Sequence, residues 1–324
     1  MEKLLCLITK EFFLNFFVKL VVSFLIIYCL YMKKIVIAGG TGFIGVYLTK
    51  RFKEKGYFVR IISRSQNSIP WDEREIAKVL EDSELIINLA GKTINCRFTD
   101  KNKKEIVDSR VNSTLMIGNA IKACKVPPKL WINASATGIY SSTNPMPATE
   151  DSTLFGTNFL VEVVKIWEQT FFDFELSNTR QIALRTSVVL GRNGGALKPL
   201  TLLTRLRLGG MQGSGNQKMS WIHIEDYFRI LLFALENNSL KGIINATSPE
   251  PISNKLFMST LRKTLHIRSG LNAPEIAIRL SSKLIGIEPE LILNNSCVEP
   301  KCLIDAGFSF TFPKLSLALD ELLY

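Results

Sequence analysis

The chain has 324 residues, of which 47% are hydrophobic and 21% are charged, and this composition excludes overall disorder. Its 20 glycines and 12 prolines exclude the collagen-like and low-complexity classes. The formal net charge of +11 is spread along the chain rather than concentrated with aromatic residues in a stripe. We therefore expect mild attraction to anionic ligands and no nucleic-acid binding.

The numbers and spacing of the cysteines and histidines indicate whether the chain has disulfides or metal sites. Six cysteines are scattered without CxxC pairs, which argues against a disulfide framework or a zinc site and favours a reducing, cytoplasmic location. His223 and His266 are the only histidines. Neither has ligand-type spacing to carboxylates, so we predict no metal site.

Residues 1–31 form a hydrophobic N-terminal extension. Thirteen residues from Leu20 to Met32 carry no charge, which is too short to span a bilayer. Extending the window back to Phe12 includes Lys19, at an insertion cost of about 2.5–3.5 kcal/mol. Three interpretations remain: a mis-assigned start upstream of Met32, a weak membrane anchor, or a folded helix. Membrane association is expected only for the second.

A glycine-rich turn follows a β-branched run at Ile35 to Ile37. Residues 39–45 read GGTGFIG, which fits GxGxxG between a strand and an amphipathic helix. Such glycines permit a tight turn, close backbone approach to a pyrophosphate and close helix packing, and the free N–H groups of the helix bind the anion. The sequence therefore predicts a dinucleotide site formed by Gly39, Gly40, Thr41, Gly42, Phe43, Ile44 and Gly45.

The ribose-reading position follows the second predicted strand, Tyr57 to Ile62. Ser63 and Arg64 lie eighteen and nineteen residues beyond Gly45. An acidic residue there would accept from the 2′-hydroxyl of NAD, whereas a hydroxyl and a guanidinium suit a 2′-phosphate. We predict NADP as the cofactor, with NAD less favoured; the alternative for Arg64 is an exposed loop residue.

The next two strands complete the predicted cleft. The strand at Leu85 to Leu89 ends in Ala90-Gly91, and the small side chains would let a nicotinamide ribose lie against Leu89, Ala90 and Gly91. The strand at Leu130 to Asn133 precedes ASATGIY. Because the carboxyl ends of parallel strands line the ligand crevice, the hydroxyls of Ser135 and Thr137 are candidate site groups.

The order of strands and helices predicts an α/β fold: a Rossmann-type doubly wound parallel sheet with right-handed crossovers and a smaller, interleaved C-terminal substrate domain. We assign residues 32–185 and 220–244 to the NAD(P)-binding domain. Residues 186–219 and 245–324 form the predicted substrate domain.

Several longer motifs resemble one family. GGTGFIG, LAG, ASATGIY, LRTSVVLGRNGGAL, LGGMQGSGNQKMSWIHIED and EPKCLIDAGFSFTFP resemble the atypical extended short-chain dehydrogenase/reductases of the NAD(P)-dependent epimerase/dehydratase superfamily, in the subgroup named epimerase family protein (sugar nucleotide epimerase-like). The resemblance covers residues 32 to about 322. It implies a Rossmann core that binds NAD(P) and a C-terminal part closing over a substrate that is often a nucleotide sugar.

The chain departs from this superfamily at its catalytic pair, Tyr-x-x-x-Lys. The expected helix, residues 156–168, reads GTNFLVEVVKIWE and has no Tyr. One alignment places Phe159 and Val163 in the two positions, and the other places Leu160 and Val164 there. Ser135 or Thr137 matches the Ser/Thr position of the superfamily and is a candidate for proton transfer. Tyr140 is the nearby phenol and a candidate substitute acid, with packing against the substrate-domain loop as its alternative.

Further candidates lie outside this segment. Arg110, Arg185 and Gln217 are predicted substrate residues, and Arg110 has a surface ion pair as its alternative. Arg185 follows a predicted strand, Ile182 to Leu184, and is expected in a substrate-side loop at its end. Asp226 is predicted to cap a helix N-terminus, and His223 to be structural.

Two function classes follow from these motifs. The first is an NADP-dependent oxidoreductase or epimerase acting on a small polar or nucleotide-sugar-like substrate without the usual dyad. The second is a non-catalytic NADP(H)-binding regulator or sensor. The motifs specify neither the substrate nor the oligomeric state.

Overall fold

The computed structural model describes residues 33–140 and 146–324. In this part of the chain, six parallel strands form the main sheet: β1 (Lys34–Ala38), β2 (Phe58–Ile62), β3 (Leu85–Asn88), β4 (Leu130–Ala136), β5 (Arg180–Thr186) and β10 (Gly242–Ala246). Across the sheet their order is β10-β5-β4-β3-β1-β2. β2 lies on one side of β1 and β3 lies on the other. A doubly wound sheet has its ligand crevice at this switch point, between β1 and β3.

Helices cover both faces of this sheet. The described helices are α1 (Phe43–Glu54), α2 (Glu73–Leu80), α3 (Asp100–Ala123), α4 (Phe159–Phe172), α5 (Leu197–Arg205), α6 (Ile224–Glu236), α7 (Asn254–Thr264), α8 (Glu275–Ile285), α9 (Glu290–Leu293), α10 (Lys301–Asp305) and α11 (Leu315–Leu323), with a 3₁₀ turn at Thr137–Ile139. The predicted Rossmann-type α/β fold is confirmed.

Alternate residues of the strands belong to two cores. Ile35 and Ile37 of β1 share a core with α1 and α6. Val36 and Ala38 belong to a second core with α2, α3 and α4. This two-residue alternation is the pleat of a strand, and strands that are apolar on both faces are typical of a covered parallel sheet.

A third core lies beside the main sheet. It joins two small sheets, one of β6 (Val188–Gly191), β7 (Gly194–Gly195) and β9 (Trp221–His223), and one of β8 (Lys218–Met219) and β11 (Ile252–Ser253), to α7 and α11. Leu190, Trp221, Phe257 and Leu319 are buried in it. The last strand of the main sheet runs to Ala246, and the division into two domains stays a prediction.

Two strands are longer than the sequence predicts. β4 and β5 pair without interruption from Leu130 opposite Arg180 to Ala136 opposite Thr186. The prediction that Arg185 lies in a loop is therefore wrong. The small and polar residues at these strand ends resemble a loop in sequence, but the parallel ladder satisfies their backbone groups.

The predicted N-cap of α6 also needs correction. His223 caps this helix, because its Nδ1 accepts from the backbone N–H of Glu225 at 3.1 Å. Asp226 is buried in the first turn and accepts from the backbone N–H groups of Thr311 and Phe312, each at 2.8 Å. The Asp226 carboxylate therefore binds the backbone of residues 311–312, which are distant in the chain, and the sequence around Asp226 does not indicate this contact.

The predicted N-terminal extension lies outside the described residues. Within residues 33–140 and 146–324, none of the helices has the length and apolarity needed to cross a membrane.

Candidate cofactor and substrate site

The glycine-rich turn between β1 and α1 is built to bring two backbone segments together. Gly39 has a φ of 77°, and a Cβ there would lie 3.0 Å from the backbone of Leu89 and Ala90. A Cβ on Gly45 would lie 2.5 Å from the carbonyl oxygen of Gly39. Glycine is therefore required at both positions, one for the turn and one for the approach of α1.

The N-terminus of α1 lies open beside this turn. Gly42 is the N-cap and makes no side-chain hydrogen bond, and the first turn contains no acidic residue. A Cβ on Gly42 would meet only the carbonyl oxygen of Gly39, at 3.4 Å. The free N–H groups and the helix dipole leave a cradle suited to a phosphate.

Phe43 holds this helix end in place. A Cβ on Gly194 would lie 2.4 Å from the ring of Phe43, and one on Gly191 would lie 2.6 Å from it. The ring therefore packs on the β6–β7 turn.

The loop after β2 divides the two predicted ribose residues. Ser63 is buried, and its Oγ lies 2.7 Å from Ser68 Oγ and accepts from the N–H of Ser65 at 3.0 Å. Arg64 is exposed and has no ion-pair partner among the described residues. Ser63 shapes the loop, whereas Arg64 is free to contact an anion.

The loop after β3 is fixed by a buried asparagine pair that the sequence analysis missed. Asn88 Oδ1 accepts from the N–H of Ala90 at 3.0 Å, and its Nδ2 donates to Asn133 Oδ1 at 2.7 Å. Both asparagines are buried. This pair holds Leu89, Ala90 and Gly91 against the glycine turn, and two asparagines within apolar strands were its only sequence signal.

A cavity of about 350 Å³ opens at the carboxyl ends of β4 and β5. Its walls come from the ends of these strands, from α4, from α9 and from the loop that contains Gln217. The lining is mainly apolar and includes Ile94, Leu160, Val163, Val164, Trp167, Val188, Leu291 and Ile292.

Three of the predicted residues line this cavity: Thr137, Arg110 and Gln217. The hydroxyl of Thr137 makes one long contact, 3.5 Å to the carbonyl oxygen of Thr186. The amide of Gln217 is bonded within its own loop, since its Nε2 donates to the carbonyl oxygen of Gln212 at 2.8 Å and its Oε1 accepts from Ser214 at 3.1 Å. The Thr137 hydroxyl is therefore more available to a ligand than the Gln217 amide, which already has two hydrogen-bond partners within its loop.

Arg185 and Ser135 lie behind the cavity in a buried network. Arg185 donates from Nε and Nη2 to the two carboxylate oxygens of Glu168 at 2.8 and 2.7 Å, and Ser135 donates to Oε1 at 2.5 Å. Burial opposes the charge on Arg185, but the bond to Glu168 outweighs it, so its pKa is raised. Sequence reasoning missed Glu168, whose only signal was an acid on the apolar side of α4.

Tyr140 belongs to the same network. Its hydroxyl accepts from Arg185 Nη1 at 2.8 Å and donates to Asn245 Oδ1 at 2.9 Å. Burial raises the pKa of Tyr140, although Arg185 acts in the opposite direction. The phenol is therefore a weak proton donor near neutral pH and does not line the cavity described above.

One face of α4 supplies the cavity wall. Leu160 and Val164 line it, whereas Phe159 packs against Phe98 with ring centroids 5.2 Å apart. Lys165 pairs with Glu162 at 3.0 Å on the outer face. Val163, from the other alignment, lines the cavity as well, so both alignments of the dyad positions remain predictions.

The loop after β3 links the glycine turn to the cavity. A Cβ on Gly39 would lie 3.0 Å from the backbone of Ala90, and a Cβ on Gly91 would lie 3.3 Å from the guanidinium carbon of Arg110, which lines the cavity. Within the described ranges, no three His, Cys, Asp or Glu residues cluster as metal ligands. The fold and this cleft define a Rossmann-class protein of the dinucleotide-binding type.

Comparisons with known proteins specify the family. The sequence model of the NAD dependent epimerase/dehydratase family matches residues 35–246. The chain is 35% identical over 299 residues to Epimerase family protein YfhF of Bacillus subtilis (strain 168), covering 89% of this chain and 97% of that protein. It is 33% identical over 301 residues to Epimerase family protein SA0724 of Staphylococcus aureus (strain N315), covering 90% and 99%. The chain belongs to the NAD dependent epimerase/dehydratase family.

Solved structures agree with this assignment. The crystal structure of human epimerase family protein SDR39U1 (isoform 2) with NADPH superposes with a TM-score of 0.82 at 33% identity, covering 89% of this chain and 98% of that one. UDP-N-acetylglucosamine 4-epimerase from Bacillus cereus superposes with a TM-score of 0.71 at 17% identity, covering 90% and 98%. The second likeness is one of fold alone.

Proposed function

We propose that this chain is an NADP(H)-dependent oxidoreductase or epimerase that acts on a small polar or nucleotide-sugar-like substrate. The observation that carries the proposal is that Ala90 and Gly91 lie between the glycine turn and Arg110, which lines the cavity at the ends of β4 and β5. A cofactor and a substrate could therefore meet at one edge of the sheet. The human relative solved with NADPH supports the cofactor class.

The residues present fit a dinucleotide phosphate. Among the described residues, no side chain lies within 4 Å of a Cβ placed on Gly42, so the backbone of residues 41–43 would hold the pyrophosphate at the N-terminus of α1. The exposed Arg64 would pair with a 2′-phosphate, which supports NADP over NAD. When bound, the cofactor supplies or accepts a hydride.

Thr137 is the residue best placed to act on the substrate. Thr137 lines the cavity, and among the described residues its hydroxyl contacts only the carbonyl oxygen of Thr186, at 3.5 Å, so it can donate to a carbonyl oxygen of the substrate. Ser135 and Tyr140 are bonded within the buried network. They position β4 and the 3₁₀ turn that carries Thr137, and a bound water would complete proton transfer.

The test is hydride transfer with a substrate found in a screen for NADPH consumption. Thr137→Val should lower the single-turnover rate by about 10²–10⁴, the usual range for general acid–base catalysis. Thr170→Val is the matched control, because that hydroxyl bonds only to the carbonyl oxygen of Ile166 on the exposed side of α4. Wild-type rates in Thr137→Val would contradict the assignment.

A non-catalytic NADP(H)-binding regulator is the second candidate. The observation that favours it is the placement of Leu160 and Val164 on the cavity wall, since neither side chain can titrate. Tight NADPH binding without turnover of any screened metabolite would favour this candidate.

The cysteines support a reducing compartment such as the cytoplasm. Cys96, Cys124, Cys297 and Cys302 are free thiols, and paired cysteines are the signature of oxidising compartments.

A further inference from the structure

Arg110 lines the cavity, as does Glu290, but it forms no ion pair with a carboxylate among the described residues. Its Nη1 donates to the carbonyl oxygens of Lys92 at 3.2 Å and Ile106 at 2.9 Å. Its Nε and Nη2 have no hydrogen-bond partner within residues 33–140 and 146–324, and no carboxylate in those ranges forms an ion pair with it. Two donors on one edge of the guanidinium therefore remain available.

Burial makes this arrangement costly for the free protein. Desolvation lowers the pKa of Arg110 to about 10, so the side chain is still charged at neutral pH. Arg110 is only partly buried, but its guanidinium has lost part of its hydration, and its hydrogen-bond acceptors are two backbone carbonyls rather than a carboxylate. The unpaired guanidinium is thus the kind of group that a bound anion stabilises.

The guanidinium is also held in place by its neighbours. Its central carbon lies 5.1 Å from the ring centre of Trp167. Trp167 donates from Nε1 to Thr114 Oγ1 at 3.1 Å, and Thr114 in turn donates to the carbonyl oxygen of Arg110 at 2.8 Å. The absence of a side chain at Gly91 leaves room for it. This mutual support orients the charge before a ligand arrives.

We propose that Arg110 binds the carboxylate of a small carbonyl substrate whose apolar body fills the cavity. The inference rests on the proposed function and specifies its substrate class. The free edge of one planar guanidinium matches one carboxylate through two parallel hydrogen bonds. The exposed surface of the cavity is mainly apolar, although Lys218 and Glu290 also line it. Its volume of about 350 Å³ is near the lower end of ligand pockets, roughly 300–1,000 Å³. These features favour a compact oxo acid over a nucleotide sugar.

The experiment measures binding rather than turnover. The full chain is titrated calorimetrically with 4-methyl-2-oxopentanoate, with the uncharged ketone 4-methylpentan-2-one, with inorganic phosphate and with UDP-glucose, each with and without saturating NADP⁺. The variants are Arg110→Gln and Arg110→Lys, with Arg74→Gln as the control because Arg74 is exposed on α2. Thermal unfolding verifies that each variant is folded.

We expect wild type to bind the oxo acid at least tenfold more tightly than the ketone, phosphate or UDP-glucose. Arg110→Gln should remove that advantage, Arg110→Lys should retain part of it, and Arg74→Gln should match wild type. Equal oxo acid affinity in wild type and Arg110→Gln would overturn the proposal, as would tighter binding of phosphate or UDP-glucose by wild type.

A tenfold loss of NADPH affinity in Arg110→Gln would also overturn it, because Arg110 would then serve the cofactor. Failure of this inference and failure of the proposed function are distinguishable. A protein that binds NADPH but shows no Arg110-dependent anion binding refutes only the substrate class. One that binds the oxo acid through Arg110 but not NADPH refutes the cofactor assignment.

Discussion

Arg185 and Glu168 join the fifth strand of the main sheet to α4 through two hydrogen bonds of 2.8 and 2.7 Å. The side chains are 2% and 10% exposed, so the pair is almost wholly removed from water. A buried pair of this kind contributes little net stability, but removing one partner leaves an uncompensated charge.

The first prediction follows from that ion pair. Arg185→Met should lower the free energy of unfolding by about 3–5 kcal/mol, because Glu168 would remain buried without a cation. The double variant Arg185→Met/Glu168→Leu should lose less than the sum of the two single losses. Urea unfolding of all four proteins measures the coupling; strictly additive losses would show that the two residues do not depend on each other.

The second prediction concerns the glycine turn. Gly45→Ala should destabilise the protein by about 1–3 kcal/mol, as overpacking does, and should abolish NADPH binding, because the new Cβ would lie 2.5 Å from the carbonyl oxygen of Gly39. Gly138→Ala is the stability control, since no atom of residues 33–140 or 146–324 lies within 4 Å of a Cβ there. Thermal unfolding and cofactor titration measure both effects, and normal NADPH affinity in Gly45→Ala would count against the predicted cradle.

The third prediction concerns cofactor choice. Arg64→Ala should weaken NADPH binding by about 1.5–3 kcal/mol, the value of a charge-assisted contact, and should leave NADH binding unchanged. Calorimetry with both cofactors measures the preference. An equal loss for NADPH and NADH would mean that Arg64 does not contact the 2′-phosphate.

The fourth prediction is a pH dependence of stability. Burial lowers the pKa of His223 below 6.5, although Glu321 acts in the opposite direction. Below about pH 6.5 the unfolded chain therefore binds more protons than the folded chain, and stability falls as the pH falls towards the folded pKa. His223→Asn retains a residue that can cap a helix and should show a shallower loss of melting temperature between about pH 7.5 and 5.5; an unchanged slope would exclude His223 as the source.

Local patterns predict most of the sheet and the glycine turn. β1 and the helix after it follow from a β-branched run and a GxGxxG spacing, which are local signals. The lengths of β4 and β5 were underestimated because pairing between distant segments, not propensity, extends them to Ala136 and Thr186. Tertiary pairing of this kind is invisible to a window of neighbouring residues.

The sequence predicts the candidate site residues but not which of them reach the cavity. Thr137 and Arg110 line it, whereas Ser135, Tyr140 and Arg185, which the sequence also predicts as site residues, do not. Glu168 accounts for this difference, because Ser135 and Arg185 both donate hydrogen bonds to its buried carboxylate. A partner 33 residues from Ser135 on another element leaves no local signal beyond one acid in an apolar helix.

The most direct test of the proposed NADP(H) site is a calorimetric titration of the full chain with NADPH and with NADH under identical buffer and salt conditions. The exposed Arg64 and the open N-terminus of α1 predict that NADPH binds at least tenfold more tightly than NADH. Equal affinity for the two cofactors, or no heat from either, would contradict the account.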